Sequence, residues 1–288
     1  MKVIGVSRGA RYSPNHVGND AAIFNQVMDC LGAAGCMVER YSEQEFLSVP
    51  MPDVSTIVVG MARDAHTLSK LHQWEEAGIE VVNSPRGVEN CVRRPMTERL
   101  LQHGIPHPAS WILSTAGADC SCLTFPCWVK RGDAHAMVKE DVSYAATAVQ
   151  VGDILDGFRR RGIATAVVNE HLQGDLVKFY GVQDTSFFHW FYPSSGSHSK
   201  FGLEAINGMA KGYPFEVNVL KRCADDAARV LDVPIYGGDA VVMADGGIKL
   251  IDFNDWPSFA PCREEAGVAI ARYVLERMWV SDTVKSKV

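Results

Sequence analysis

Along the first ninety residues, short continuous apolar runs alternate with stretches where apolar residues recur every three to four positions. The runs "KVIGV", "MVERY", "STIVVGM" and "IEVVN" predict four strands. Between the first two, Ile23, Val27, Met28 and Leu31 mark one face of a helix, with Asn19 or Asp20 as the expected cap and Gly35 as the stop. "DAHTLSKLHQWEEAG" predicts a second helix with a capping acid and a terminal glycine. Such β-α-β alternation predicts a mostly parallel sheet with helices on its faces. Ligands of such sheets bind beyond the carboxyl ends of the strands. The loop of residues 7–19 is therefore a candidate substrate loop, the alternative being an ordinary surface loop.

Past residue 84 the periodicity changes. Ser84-Pro85 opens a new segment, and Pro95 is the expected start of a helix over 95–103 that Gly104 ends. "GIPHPAS" is a proline-bearing connection and a domain boundary. "CWVKRGDAHAMVKEDV" predicts a strand, a short polar loop, then a strand or turn; a helix is expected over 149–161. "IATAVVNEHL", "DLVKFYGVQ" and "TSFFHWFYP" read as strands, "SSGSHSKFG" as a flexible loop, and "NVLKRCADDAARVL" as a helix. Asp245-Gly246-Gly247 is a turn signal between two apolar runs, so "YGGDAVVMADGGIKLIDFN" predicts a β-hairpin. A last helix is expected over 263–279.

Composition adds mainly exclusions. With 288 residues, 47% of them hydrophobic and 22% charged, the chain has the make-up of a globular protein with a sizeable core. A net charge of −6 gives no bulk attraction to nucleic acid or to an anionic membrane. The basic run Arg159-Arg160-Arg161 falls at a helix end, where cations complement the helix dipole. No apolar run reaches the roughly 20 residues needed to span a bilayer, and the N-terminal run is too short for a signal peptide. Eight cysteines occur without a C-x-x-C pair, so reduced thiols and a cytoplasmic location are expected, rather than a zinc site at Cys120, Cys122 and Cys127.

The hairpin holds the most telling chemistry. Its second strand runs into "IDFNDWP". Asp239 is expected to begin the first strand, and Asp252 and Asn254 to end the second. Asp252 and Asn254 are two apart and share a face. Unpaired buried carboxylates are costly, but a divalent cation removes that cost. Two carboxylates and an amide form a hard oxygen set suited to Mg²⁺, which takes one or two carboxylates and leaves other positions to water and phosphate. The alternative is a capped turn with solvated acids.

The spacing of this set, an acid, thirteen residues, then acid-x-Asn, resembles the metal signature of the ATP-grasp superfamily. "NCVRRPMTERLLQHGIPHP" is similar to the segment preceding that superfamily's central lobe, with Arg93 where a lysine is usual and Arg94 as a possible substitute. "FPCWVKRGDAHA" resembles the strand bearing the second nucleotide lysine, here Lys130. "VVNEHLQGDLVKFYGV" resembles the hinge strand under adenine. The resemblance covers about residues 80–270. It implies an α/β and α+β architecture: an N-terminal pre-ATP-grasp domain with a parallel sheet (1–90), a central lobe (91–173) and a C-terminal lobe with the metal site (174–288), the two lobes clasping ATP.

The resemblance also implies roles. Arg93 and Lys130 would meet phosphate, Glu170, His171 and Leu172 would line the adenine hinge, and Asp175 would accept from the ribose hydroxyls. Lys178 is expected to point to the same region as Asp175, toward phosphate or substrate. His135 follows Lys130 in a loop expected over the phosphates. Lys130, Lys178 and His135 are thus the candidate catalytic residues, and Asp239, Asp252 and Asn254 the candidate ligands of Mg²⁺ or Mn²⁺. The implied activity is a RimK-like, ADP-forming ligase that activates a small carboxylate, amino acid or peptide as an acyl phosphate for an amine or thiol. The alternatives are a kinase of the inositol phosphate kinase type and a non-catalytic nucleotide-binding protein. A polyphosphorylated substrate would demand clustered cations, and the candidate substrate regions supply only Arg8, Arg11, Lys200 and Arg263. The expected partners are ATP and a small molecule or peptide, with no nucleic acid and no membrane; homo-oligomerisation stays open.

Overall fold

The computed structural model describes residues 1–193 and 206–285. The expected "SSGSHSKFG" loop, with Lys200, lies outside the described residues. Three four-stranded sheets organise the rest.

The first sheet contains β1 (Lys2–Ser7), β2 (Met37–Ser42), β3 (Ile57–Gly60) and β4 (Glu80–Val82), in the order β2-β1-β3-β4 and all parallel. Helices α1 (Val17–Ala33), α2 (Glu43–Phe46) and α3 (Ala65–Glu76) connect them. Alternation along β1 and β3 sends Val3 and Val59 to one face and Ile4, Val6 and Val58 to the other. Helix α3 begins at its predicted cap, where the Asp64 carboxylate accepts from the backbone N–H groups of His66 and Thr67. Helix α1 does not begin at Asn19 or Asp20. It starts at Val17 with His16 as N-cap, and Asp20 is buried inside its first turn, where it has a different task described below. The four-residue α2 had no period long enough to register in the sequence.

The second sheet is antiparallel, in the order β5-β8-β6-β7: β5 (Ser110–Ser114), β6 (Cys127–Arg131), β7 (Val142–Ala145) and β8 (Thr165–Glu170). Helix α6 (Ala148–Arg160) covers one face through Val151, Leu155 and Phe158. The third sheet is also antiparallel, in the order β10-β9-β11-β12: β9 (Asp175–Val182), β10 (Phe188–Phe191), β11 (Ile235–Val242) and β12 (Ile248–Asp255). Its covered face packs on α7 (Val217–Leu231) and on α5 (Arg93–Gln102), which follows the short α4 (Pro85–Asn90). Helix α5 starts two residues before Pro95, since a proline in the first turn has no intrahelical N–H bond to lose.

Elements cross between these layers. Met96 and Leu100 of α5 share a core with Leu220 and Leu231 of α7. The final helix α8 (Arg263–Lys285) returns to the first sheet, where Ala266, Ile270 and Val274 pack with Ile23, Val27 and Leu31 of α1. Asn83 extends the joint in the manner of a strand residue: its side chain donates to the Ile235 carbonyl (2.8 Å) and accepts from the Ile235 N–H (2.9 Å). The N-terminal sheet and the third sheet are therefore bound to each other by apolar packing and by buried hydrogen bonds.

Candidate functional site

The uncovered faces of the second and third sheets border one cavity of about 300 Å³, which continues to the carboxyl end of the first sheet. On β9, Leu176, Lys178 and Tyr180 line it, while Val177 and Phe179 enter the core with α7. On β11, Gly237, Asp239 and Val241 line it and Tyr236, Ala240 and Val242 do not. From the second sheet come Trp128 and Lys130 of β6 and Asn169 and Glu170 of β8.

The hairpin is longer than the sequence suggested. Asp239 lies in the middle of β11, four residues after the strand begins, and pairs directly with Asp252. The next pair is Ala240 with Leu250, so Ile251 is an extra residue on β12. Such a bulge leaves its residue out of the ladder and re-aims its neighbours. Here Ile251 and Asp252 both line the cavity, and the Ile251 carbonyl accepts from Lys130 Nζ at 2.9 Å. Gly238 makes the close approach possible: a Cβ there would lie 2.4 Å from the Asp252 carbonyl oxygen and 2.6 Å from the Phe179 ring.

Asp239, Asp252 and Asn254 all line the cavity. Each acid has a cation beside it. Lys178 Nζ lies 3.1 Å from Asp239 Oδ1. Arg93 Nη2 lies 3.3 and 3.1 Å from the two Asp252 oxygens. Burial pushes the Asp252 carboxyl up, but Arg93 and Lys130 outweigh it and hold the group below its ordinary value. Burial, followed by the Arg93 charge, brings Lys130 down to about 8 against the pull of Asp252 and Asp239. Arg93 Nη1 is buried without a hydrogen-bond partner among the described residues. A buried guanidinium donor left unpaired is costly, and an anion in the cavity would satisfy it. Oxygen donors and cationic donors thus line one cavity. Among the described residues no cluster of three or more His, Cys, Asp and Glu side chains is arranged for a metal ion; the candidate set is two carboxylates and the Asn254 amide.

The hinge residues divide. Glu170 and Leu172 line the cavity. Glu170 is also tied down: its Oε1 accepts from the Ala109 N–H and from Lys249 Nζ, both at 2.9 Å. The His171 ring does not line the cavity; it accepts from the Trp128 indole at 3.1 Å and packs on Tyr144. Asp175 is a correction. It is buried, and its carboxylate accepts from the backbone N–H groups of Lys211 (2.6 Å) and Tyr213 (2.8 Å). It is also three residues from Lys178 on one strand, which puts the two on opposite faces. Asp175 therefore anchors a loop and is not among the residues that line the cavity.

Toward the first sheet, the 7–19 loop borders the same cavity through Arg8, Tyr12, Ser13, Pro14, His16 and Asn19. Arg8 follows β1 and Arg63 follows β3. These neighbouring parallel strands have connections that leave in opposite directions, the position where open α/β sheets bind ligands. Both guanidiniums converge on Asp255, the last residue of β12. Arg8 Nη2 lies 3.2 Å from Asp255 Oδ2 and Arg63 Nη2 2.5 Å from Oδ1. Arg8 Nη1 reaches Asp20 Oδ2 at 3.0 Å, and Ser13 Oγ donates to the same oxygen at 2.6 Å. His135 lines the cavity with Nε2 3.7 Å from Asp255 Oδ1. The sequence reading missed Arg63 and the role of Asp255. The signal was present, since Arg63 stands just past the apolar run "STIVVGM", at a strand's carboxyl end. Of the other cations considered for substrate, Arg11 pairs with Asp64 on the surface and Arg263 donates to Asn19 at 3.0 Å.

The chain has the ATP-grasp fold. It superposes on D-alanine–D-alanine ligase from Bacillus anthracis with a TM-score of 0.66 at 10% identity, covering 98% of this chain and 99% of that one. A RimK domain ATP-grasp protein from Sphaerobacter thermophilus gives 0.66 at 14% identity, covering 96% and 100%. D-alanyl-alanine synthetase A from Vibrio cholerae gives 0.69 at 11% identity, covering 96% and 97%. The Bacillus anthracis ligase is also known in complex with ATP, and that structure matches at a TM-score of 0.65. No protein-family model matches the sequence, and no curated protein is significantly similar to it. No helix among the described residues is long and apolar enough to cross a membrane.

Proposed function

We propose that this protein is an ATP- and Mg²⁺-dependent ligase that joins a small carboxylate, amino acid or peptide to an amine or thiol through an acyl phosphate. The observation that carries the reading is the meeting of Arg93 and Lys130 with Asp239, Asp252 and Asn254 in one cavity. In this reading the backbone at Glu170 and Leu172 receives the adenine, and Lys130 and Arg93 hold phosphate oxygens. The residues Asp239, Asp252 and Asn254 would hold Mg²⁺ or Mn²⁺, which supplies charge neutralisation for phosphoryl transfer. Their oxygen donors and the unpartnered Arg93 Nη1 fit that cargo. Lys178 and His135 border the space between the phosphate end and the 7–19 loop, where the acceptor would sit.

The γ-phosphoryl group leaves ADP for a carboxylate oxygen of the acceptor. The amine or thiol then attacks the acyl carbon, loses its proton and displaces inorganic phosphate. The ligases that share the fold support this outcome over a kinase. So does the charge at the acceptor end, where Arg8 and Arg63 are both engaged by Asp255, leaving little cationic capacity for a polyphosphorylated ring.

The test is calorimetric titration of ATP, with and without Mg²⁺, into wild type and Asp252→Ala, followed by a phosphate-release screen of carboxylate and amine pairs. The expected result is Mg²⁺-dependent binding that the variant loses, and substrate-stimulated release of inorganic phosphate. Equal nucleotide binding by the variant would sink the metal assignment. A phosphorylated product without free phosphate would replace the ligase with a kinase.

A further inference from the structure

The acids of the metal set are not empty-handed, and the two cations that hold them differ. Lys178 and Asp239 are cross-strand neighbours on β9 and β11. Arg93 comes from another layer, the first turn of α5, and is only 7% exposed. One of its nitrogens, Nη2, contacts both Asp252 oxygens. Another, Nη1, is buried with no hydrogen-bond partner among the described residues, on a residue that lines the cavity. A guanidinium can serve a carboxylate and a phosphate at once or exchange one for the other, because its five donors lie in a fixed planar fork. A lysine ammonium has no such fork.

Resting on the ligand assignment above, we infer that Arg93 is an internal cation that competes with the metal ion for Asp252, so that divalent metal binds well only once a phosphate anion engages Arg93. Without an anion, a metal ion approaching Asp252 must take the carboxylate from Arg93 and leave a buried guanidinium without its counter-charge, which is unfavourable. With an anion on Arg93, that charge is compensated and the Asp252 oxygens become available to metal. Arg93 thus makes metal and nucleotide binding mutually dependent, and linkage requires the effect to be reciprocal. The protein would then take its metal together with the nucleotide and would not hold an idle metal between turnovers.

The experiment reads metal binding directly, without turnover: electron paramagnetic resonance titration of Mn²⁺ into wild type, Arg93→Met and Arg93→Lys, with no nucleotide present. Arg93→Met should bind Mn²⁺ at least about tenfold more tightly than wild type, equivalent to about 1.4 kcal/mol. Arg93→Lys, which keeps the charge but loses the fork, should fall nearer wild type. A second measurement needs no variant. Sulfate is a weak ligand for Mn²⁺ and a good one for a guanidinium, so added sulfate should tighten Mn²⁺ binding to wild type. Equal Mn²⁺ affinity in wild type and Arg93→Met, or no response of wild type to sulfate, overturns the competition while leaving the ligase reading intact. Failure of wild type to bind ATP with Mg²⁺ overturns both.

Discussion

Asp252 and Asp255 stand three residues apart on one strand and meet guanidiniums in different ways. The Asp252 side chain is 26% exposed, has one arginine beside it and borders the cavity. The Asp255 side chain is 1% exposed, has two arginines from another sheet and closes the joint between layers. The contrast separates two uses of the same chemistry. A partly open ion pair can exchange its partner for a ligand. A closed one with two cations contributes to architecture, and removing its acid takes the carboxylate from Arg63 and leaves Arg8 with Asp20 alone.

The largest effect expected from breaking this contrast is at Asp255. Asp255→Ala leaves Arg8 and Arg63 buried and facing each other, and should lower stability by about 3–5 kcal/mol, read as the urea midpoint shift at constant slope. Asp252→Ala should cost less stability, because it takes the partner of one arginine and the Asp252 side chain is 26% exposed. A similar loss in both variants would erase the distinction.

A smaller effect is expected at Asp175. Its carboxylate satisfies two backbone N–H groups, so Asp175→Ala should cost about 1–3 kcal/mol of stability while ATP affinity stays within about twofold. A large loss of affinity with unchanged stability would return Asp175 to the nucleotide site.

The smallest effect is a pH dependence that belongs to the open site. Lys130 sits at about 8 in the folded protein. Its value is below that of a free lysine, about 10.4, so between the two the unfolded chain binds the proton more tightly. This group's contribution to stability therefore rises as pH climbs from about 8 to about 10. ATP affinity should move the other way, since the phosphates need the ammonium. It should fall by roughly tenfold at most between pH 7 and 9, and Lys130→Met should flatten that limb in calorimetric titrations.

Much of this was legible in the sequence because it rests on local periods. Strand alternation and the Asp245-Gly246-Gly247 turn predict the hairpin, and with it the meeting of Asp239, Asp252 and Asn254. The same alternation, applied along β9, already separates Asp175 from Lys178; the role implied by resemblance ran against it. Strand β5 was missed because Ser110 and Ser114 bracket only three apolar residues between proline and glycine signals. The bulge at Ile251 carries no composition signal, since any residue can be the extra one. The partners of Asp255 were hidden for another reason: Arg63 and Arg8 lie 192 and 247 residues away along the chain. Only the rule about strand ends in parallel sheets pointed to that corner.

The return of α8 to α1 has a consequence for synthesis. The core around Ile23, Val27 and Leu31 is completed by Ala266, Ile270 and Val274, at the far end of the chain. The apolar face of α1 is therefore made well before the helix that covers it. At about 5–20 residues per second, the stretch between the two helices takes roughly 10–50 seconds to make. During that interval the face of α1 formed by Ile23, Val27 and Leu31 lacks the residues of α8 that cover it in the folded chain.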